Sequence, residues 1–204
     1  MRQNRKNKRF VYLISPNKIK NKDFYNKLHQ VLSSKKVGFF QLRLKKENIR
    51  NKIFIGKKIK KICKKYQVKF LINDDPMLAK KVNADGCHLG QKDMNILKAR
   101  KILKNKIIGI TCHNSINLAK KAISSGANYL AFEAFYSSKT KKVKYKASLK
   151  ILSLTKKLTN TPVVAIGGIK DTNYKKLLLN KANFLAISGY IWNNKKLNPK
   201  EAIN

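Results

Sequence analysis

Acidic side chains are scarce in this chain: nine Asp and Glu stand against 48 Lys and Arg, for a formal charge of +39. Cysteine is scarce too. Cys63, Cys87 and Cys112 lie far apart with no paired ligand spacing, which excludes a disulfide scaffold and a Cys-rich zinc site. No apolar run approaches the roughly 18 residues that a membrane helix needs. The opening MRQNRKNKRF runs straight into a strand pattern and has no signal-type apolar region, so the expected setting is cytoplasmic. Arginine, the residue suited to bidentate contacts with bases and phosphates, occurs only six times. The positive charge is mostly lysine, spread over every helical segment. It reads as solvated surface that also draws anionic small molecules, and no specific nucleic-acid partner is expected.

Against those absences, 204 residues with 43% apolar content suit one domain with one substantial core. The expected boundaries are 1–204, with a basic tail over 1–8 and a C-terminal tail over 194–204. Strand patterns fall at 10–14, 37–42, 70–72, 87–89, 107–110, 129–132, 162–166 and 184–187. Helical patterns at 24–32, 48–66, 95–103, 117–124, 149–158 and 171–179, and a helical turn after Pro76, separate them. Eight strands interleaved with helices in one domain point to a single compact α/β (β/α)₈ TIM barrel. An open doubly wound sheet is the alternative.

A third of the acids, Asp74, Asp75 and Asp93, cluster where two short apolar runs end. Asn73-Asp74-Asp75 follows the run FLI, and Asp93 follows Cys87-His88-Leu89-Gly90. Hard carboxylate oxygens in a lysine-rich setting suit Mg²⁺ held jointly with phosphates. The competing role is helix capping, by Asp75 before Pro76 and by Asp93 before Leu97. In a barrel, polar residues after successive strands converge on one mouth. Here these are Gln41, Arg43 and Lys45; Asn73 to Asp75; His88 and Gln91; Thr111 and His113; Glu133; Ser138, Thr140 and Lys141; Gly167 and Gly168; and Ser188 and Gly189. Gln41, Arg43 and Lys45 alternate with Leu42 and Leu44, so the three share one side. The glycines after the seventh and eighth strand patterns suit a phosphate monoester, although tight turns alone would also use them.

Several of these segments, in this order and spacing over residues 10–192, resemble the motifs of the thiamine-phosphate synthase family. They are Gln41-Leu42-Arg43-Leu44-Lys45, Asn73-Asp74-Asp75, Gly86-Cys87-His88-Leu89-Gly90-Gln91-Lys92-Asp93, Thr140-Lys141 and Ala165-Ile166-Gly167-Gly168-Ile169. The resemblance implies a (β/α)₈ barrel that joins hydroxymethylpyrimidine diphosphate to thiazole phosphate, giving thiamine phosphate and pyrophosphate. It further implies that Gln41, Arg43, Lys45 and Asn73 hold the pyrimidine diphosphate, that Asp74 and Asp93 hold Mg²⁺, and that Lys141 holds the pyrophosphate. Thr111, Ser138 and Thr140 fall at further substrate-binding positions, and Gly167, Gly168, Ile187 and Ser188 match the thiazole-phosphate end. Arg43, Lys45 and Lys141 are the catalytic candidates, and a homodimer is compatible with the fold.

The chain also departs from the pattern. Thr111 replaces a usual Ser, Ser138 the first Thr of TxTK, and Ser137 a usual Pro. Glu133-Ala134-Phe135-Tyr136 stands where Gly-Pro-hydrophobic-Phe is usual, which brings a carboxylate near the reacting centre. The related thiazole tautomerase is typified by a histidine at the position of Ala134, so Ala134 argues against a tautomerase, while the intact acids and Lys45 argue for a synthase. A diverged paralogue, tautomerase-like or binding a phosphate ligand without catalysis, is the alternative reading. A ring nitrogen that attacks without losing a proton needs no base, so His88 and His113 are expected to pack or hydrogen-bond.

Overall fold

The computed structural model describes residues 9–19, 22–137 and 144–204. Eight parallel strands close into a barrel in sequence order: β1 (Val11–Ile14), β2 (Val37–Leu42), β3 (Lys69–Asn73), β4 (Gly86–Leu89), β5 (Ile107–His113), β6 (Tyr129–Glu133), β7 (Val163–Ile166) and β8 (Phe184–Ile187). β8 pairs back onto β1 through Leu185, Ala186 and Ile187, so no edge is exposed and the open-sheet alternative falls. The connecting helices are α1 (Lys22–Ser33), α2 (Ile49–Lys65), α3 (Pro76–Lys81), α4 (Ile96–Leu103), α5 (Ile116–Ser124), α6 (Leu149–Leu158) and α7 (Tyr174–Leu179). The short α8 (Gly189–Trp192) and α9 (Pro199–Ile203) follow. None of the described helices is long and apolar enough to cross a membrane.

Strand alternation divides the core in two. One face of each strand points into the barrel, where Tyr12, Leu71, Tyr129, Ala131, Val164 and Ala186 pack together with Phe39 and Phe184. The other face, including Leu13, Phe40, Phe70, Ile72, Phe132 and Leu185, packs against the helices. Two glycines make the interior possible. A Cβ at Gly109 would lie 1.8 Å from Cζ of Tyr129, and one at Gly86 would lie 1.9 Å from the Ile107 carbonyl oxygen. Side chains at these points would displace a buried ring or a neighbouring strand.

Helix ends follow the caps. Asn48, Asp75, Asn95 and Ser115 each accept a hydrogen bond from a backbone N–H in the first turn of the helix they precede. The cap of α4 is therefore Asn95, and Asp93 is left for other work. Not every apolar residue of α2 faces the core: Ile49 and Phe54 are 52% and 70% exposed, while Ile55, Ile59, Ile62 and Cys63 form the buried stripe. Gly56 fits that stripe, because a Cβ there would sit 3.1 Å from Val82, the residue that caps the C-terminus of α3. The C-terminal stretch read as a tail holds α9, which carries an Asn198–Glu201 capping box. It buries Pro199 and Ile203 and packs on α1.

Candidate active site

The C-terminal ends of β2, β3 and β4 bring the scarce acids beside Lys45. Asp74 leaves β3 with φ of 64°, a left-handed conformation that Asp tolerates better than most residues. Its N–H donates to the His88 carbonyl at 2.8 Å. This turn separates the two adjacent acids: Asp75 caps α3 through Leu78 N–H at 2.9 Å, while Lys45 Nζ lies 3.2 Å from the Asp74 carboxylate. Asp93 accepts the Gly90 N–H at 2.7 Å. Its carboxyl is held above the ordinary range, first by burial and then by the facing Asp74 carboxyl at hydrogen-bonding range. Gly90 N–H and Lys45 act in the opposite direction. A cavity of about 200 Å³ borders this cluster, lined in part by Lys45, Lys52, Asn73 and Asp74.

Next to it, Gln41 is buried and its side-chain amide donates to the Asn73 side-chain oxygen across the β2–β3 pair. That fixes the Gln41 amide orientation and leaves its oxygen as an acceptor. Arg43 reaches Asn17 Oδ1 at 2.8 Å in the β1–α1 loop. Ser15 ties three strand ends together. Its Oγ accepts Arg43 N–H at 2.9 Å, its N–H donates to Gln41 O at 2.9 Å, and its carbonyl accepts Ser188 Oγ–H at 3.2 Å. Ser15 was not singled out from sequence, because a serine before Pro16 reads as a turn residue.

Gly167 and Gly168 leave β7 with φ of 107° and 61°. A Cβ at Gly168 would stand 2.2 Å from Ser137 O, so only glycine fits there. Asn173 braces the turn by donating from Nδ2 to Gly168 O at 3.0 Å and accepting Lys170 N–H at 2.9 Å. This explains why α7 starts at Tyr174 and not at Asp171. Ile187 ends β8 and Ser188 begins the turn into α8.

Inside the barrel below the mouth, His88 is buried, with Nδ1 2.8 Å from the Tyr129 hydroxyl and Nε2 2.9 Å from Thr111 Oγ1. Gln91 donates from its amide to Thr111 O at 2.5 Å. Histidine as a hydrogen-bonding residue is thus what the structure contains at this position. The participation of Tyr12 and Tyr129 was missed, since tyrosines inside apolar runs read as core. Across the mouth, β5 extends three residues past its expected end and shifts register between Thr111 and His113. This sets His113 Nδ1 3.4 Å from Glu133 Oε1, within ion-pair reach but without hydrogen-bond geometry, and stacks its ring on Tyr145 with centroids 4.1 Å apart. Ser138, Thr140 and Lys141 lie outside the described residues.

Among the described residues, no group of three or more His, Cys, Asp or Glu side chains stands at metal-ligand spacing. Two facing carboxylates, one of them raised by burial and by its neighbour, still form a donor set suited to a hard divalent cation. Such a cation would take its remaining ligands from water and substrate oxygens.

The sequence and the fold are similar to those of known proteins. A family profile described as thiamine monophosphate synthase matches residues 11–191, from the first strand to α8. The chain is 75% identical over 203 residues to a thiamine-phosphate synthase of Pelagibacter ubique, covering 100% of this chain and 98% of that one. It is 37% identical over 179 residues to one of Nitrosomonas eutropha, covering 87% and 84%. The solved structure of a thiamine phosphate pyrophosphorylase from Pyrococcus furiosus superposes with a TM-score of 0.84 at 27% identity, covering 97% of this chain and 93% of that one. A match that runs through all eight strands and every described strand end of the mouth leaves one conclusion: the chain belongs to the thiamine monophosphate synthase family.

Proposed function

We infer that the chain works as a thiamine-phosphate synthase whose mouth binds a diphosphate through paired acids, Mg²⁺ and lysines. It joins 4-amino-2-methyl-5-hydroxymethylpyrimidine diphosphate to 4-methyl-5-(2-phosphoethyl)thiazole, releasing pyrophosphate. The observation that carries this reading is the Lys45–Asp74–Asp93 cluster beside the Gln41–Asn73 amide pair, in a chain 75% identical over its whole length to a thiamine-phosphate synthase.

Chemically, the reaction is a substitution at the pyrimidine methylene. The bond from that carbon to the diphosphate oxygen breaks, its electron pair leaves with pyrophosphate, and the thiazole ring nitrogen supplies the pair for the new C–N bond. The leaving group gains charge and no proton needs removal, so catalysis rests on positioned charge rather than on a protein nucleophile or base. Arg43, Lys45 and Lys141 bind the diphosphate oxygens and stabilise the charge that develops there. Asp74 and Asp93 would hold Mg²⁺, which when bound supplies further neutralisation of the leaving diphosphate. Gln41, Asn73 and Thr111 orient the pyrimidine, and Ser138 and Thr140 belong to the diphosphate side. Gly167, Gly168, Ile187 and Ser188 receive the thiazole phosphate. The setting is cytoplasmic, and a homodimer is compatible with this reading.

The deciding experiment supplies both phosphorylated precursors with Mg²⁺ and measures thiamine phosphate and pyrophosphate. Stoichiometric formation of both, lost with EDTA and restored by Mg²⁺, is expected. No product at saturating substrate and Mg²⁺ would reject the synthase reading.

A further inference from the structure

The hydrogen bonds inside the barrel form a chain with a definite direction. The hydroxyls of Tyr12 and Tyr129 meet at 2.8 Å, the Tyr129 hydroxyl meets His88 Nδ1 at 2.8 Å, and His88 Nε2 meets Thr111 Oγ1 at 2.9 Å. All four residues are buried. Tyr12 is the closed end, since among the described residues its hydroxyl bonds to Tyr129 alone. Burial pushes both phenols well above their ordinary range, so both keep their hydrogens.

A buried hydroxyl hydrogen without an acceptor costs about 1–3 kcal/mol. Tyr12 therefore donates to Tyr129, and the single hydrogen of Tyr129 is left for His88 Nδ1. A ring nitrogen that accepts carries no hydrogen, which puts the imidazole hydrogen on Nε2. That N–H donates to Thr111 Oγ1, and the hydrogen of the Thr111 hydroxyl is directed away from the ring. The opposite tautomer would reverse every link: the Thr111 hydroxyl would donate to Nε2 and keep only lone pairs for the mouth, and the Tyr12 hydrogen would be orphaned at the closed end, where Tyr12 is 1% exposed against 7% for the mouth-facing Thr111. Thr111 stands one inward-facing position beyond Gly109 on β5, toward the C-terminal mouth.

We propose that His88 is a positioning residue locked as the Nε2–H tautomer by the Tyr12–Tyr129 pair, so that Thr111 presents a hydrogen-bond donor to a ring nitrogen of the aminopyrimidine. This rests on the synthase reading for the identity of the ligand, but the tautomer itself follows from the protein alone. The complementary acceptor nearby is the Gln41 side-chain oxygen, fixed because the Gln41 amide already donates to Asn73. A donor and an acceptor in one pocket match a ring that carries both a nitrogen lone pair and an exocyclic amino group.

With only three histidines in the chain, the tautomer is directly readable. In ¹⁵N-labelled protein without ligand, a two-bond ¹H–¹⁵N correlation spectrum of the imidazoles separates pyridine-type from pyrrole-type nitrogens. His29→Gln and His113→Gln variants assign His88 as the ring that survives both. The expected result near neutral pH is a pyridine-type Nδ1 and a pyrrole-type Nε2. A hydrogen on Nδ1, or on both nitrogens, would overturn the proposal. In turnover, Thr111→Ser should keep the KM for the pyrimidine diphosphate, and Thr111→Val should raise it about 10-fold, the loss of one neutral hydrogen bond. An unchanged KM in Thr111→Val would also overturn the proposal. Failure of the unmodified protein to make product would sink the synthase reading alone, because the imidazole spectrum needs no substrate.

Discussion

Lys45 Nζ lies 3.2 Å from the Asp74 carboxylate, and that carboxylate faces Asp93. Two acids against one nearby lysine make a locally anionic point in a chain of net charge +39. The Asp93 carboxyl is raised above its ordinary range. A raised carboxyl favours folding at low pH, and that contribution is lost as pH rises through the folded-state value, so near neutral pH the pair is a cost. A divalent cation relieves that cost. Mg²⁺ should therefore raise Tm near neutral pH, and the shift should shrink at a pH below the carboxylate range. Asp93→Asn keeps an oxygen for Gly90 N–H and should abolish the shift. It should also lower turnover by about 10²-fold or more, the scale of losing one positioned electrostatic group. An unaltered Mg²⁺ shift in Asp93→Asn would remove Asp93 from the metal site.

Lys141 should act on the leaving group. Lys141→Ala is expected to lower kcat by about 10²-fold or more with a smaller change in diphosphate affinity, because its interaction strengthens as charge develops. Lys139→Ala should be tolerated. Single-turnover rates decide the matter, and equal, near-normal rates for the two variants would return Lys141 to the solvated lysine surface.

The three thiols should be silent in the folded protein. Cys63, Cys87 and Cys112 are free and buried, and burial pushes Cys112 up to about 12 and the other two higher still. A thiol titration with a disulfide reagent should find no fast-reacting group in native protein at neutral pH and three after denaturation. A fast-reacting thiol in the native protein would show that one of these sites opens readily.

Gly109→Ala should be strongly destabilising although alanine suits a strand better than glycine does. The new methyl would meet the Tyr129 ring at 1.8 Å, and that ring is held by hydrogen bonds to Tyr12 and His88. Overpacking of this kind costs about 1–3 kcal/mol or more. The urea midpoint should fall accordingly, and a midpoint within error of the unmodified protein would mean that the ring moves freely.

Much of the fold was legible because periodicity and local breakers agree. β2, α6 and β8 end where the apolar patterns end, and Pro76 opens α3 at a helical first turn. Where lysine fills every polar position, pattern alone becomes ambiguous. On α2, Phe54 and Ile55 are equally apolar in sequence, and only packing in the folded barrel decides that Ile55 is buried and Phe54 is not. The same limit applies to α9, whose apolar residues are too few to signal a helix until α1 supplies the surface they cover.

The sequence by itself determined which residues stand at the strand ends, since alternation and turn residues are local and a parallel barrel gathers strand ends at one mouth. It also marked the scarce acids, because a rare residue type carries information wherever it falls. Only the tertiary structure decided their division of labour. Asp75 caps a helix while Asp74, in a left-handed turn, faces Asp93 from a different strand end. Likewise only closure of β1 through β8 brings Tyr12, Tyr129, His88 and Thr111, separated by up to 117 residues, into one hydrogen-bonded chain. Its direction follows from burial, because a hydroxyl cut off from water must find its acceptor among the few groups that the fold places beside it.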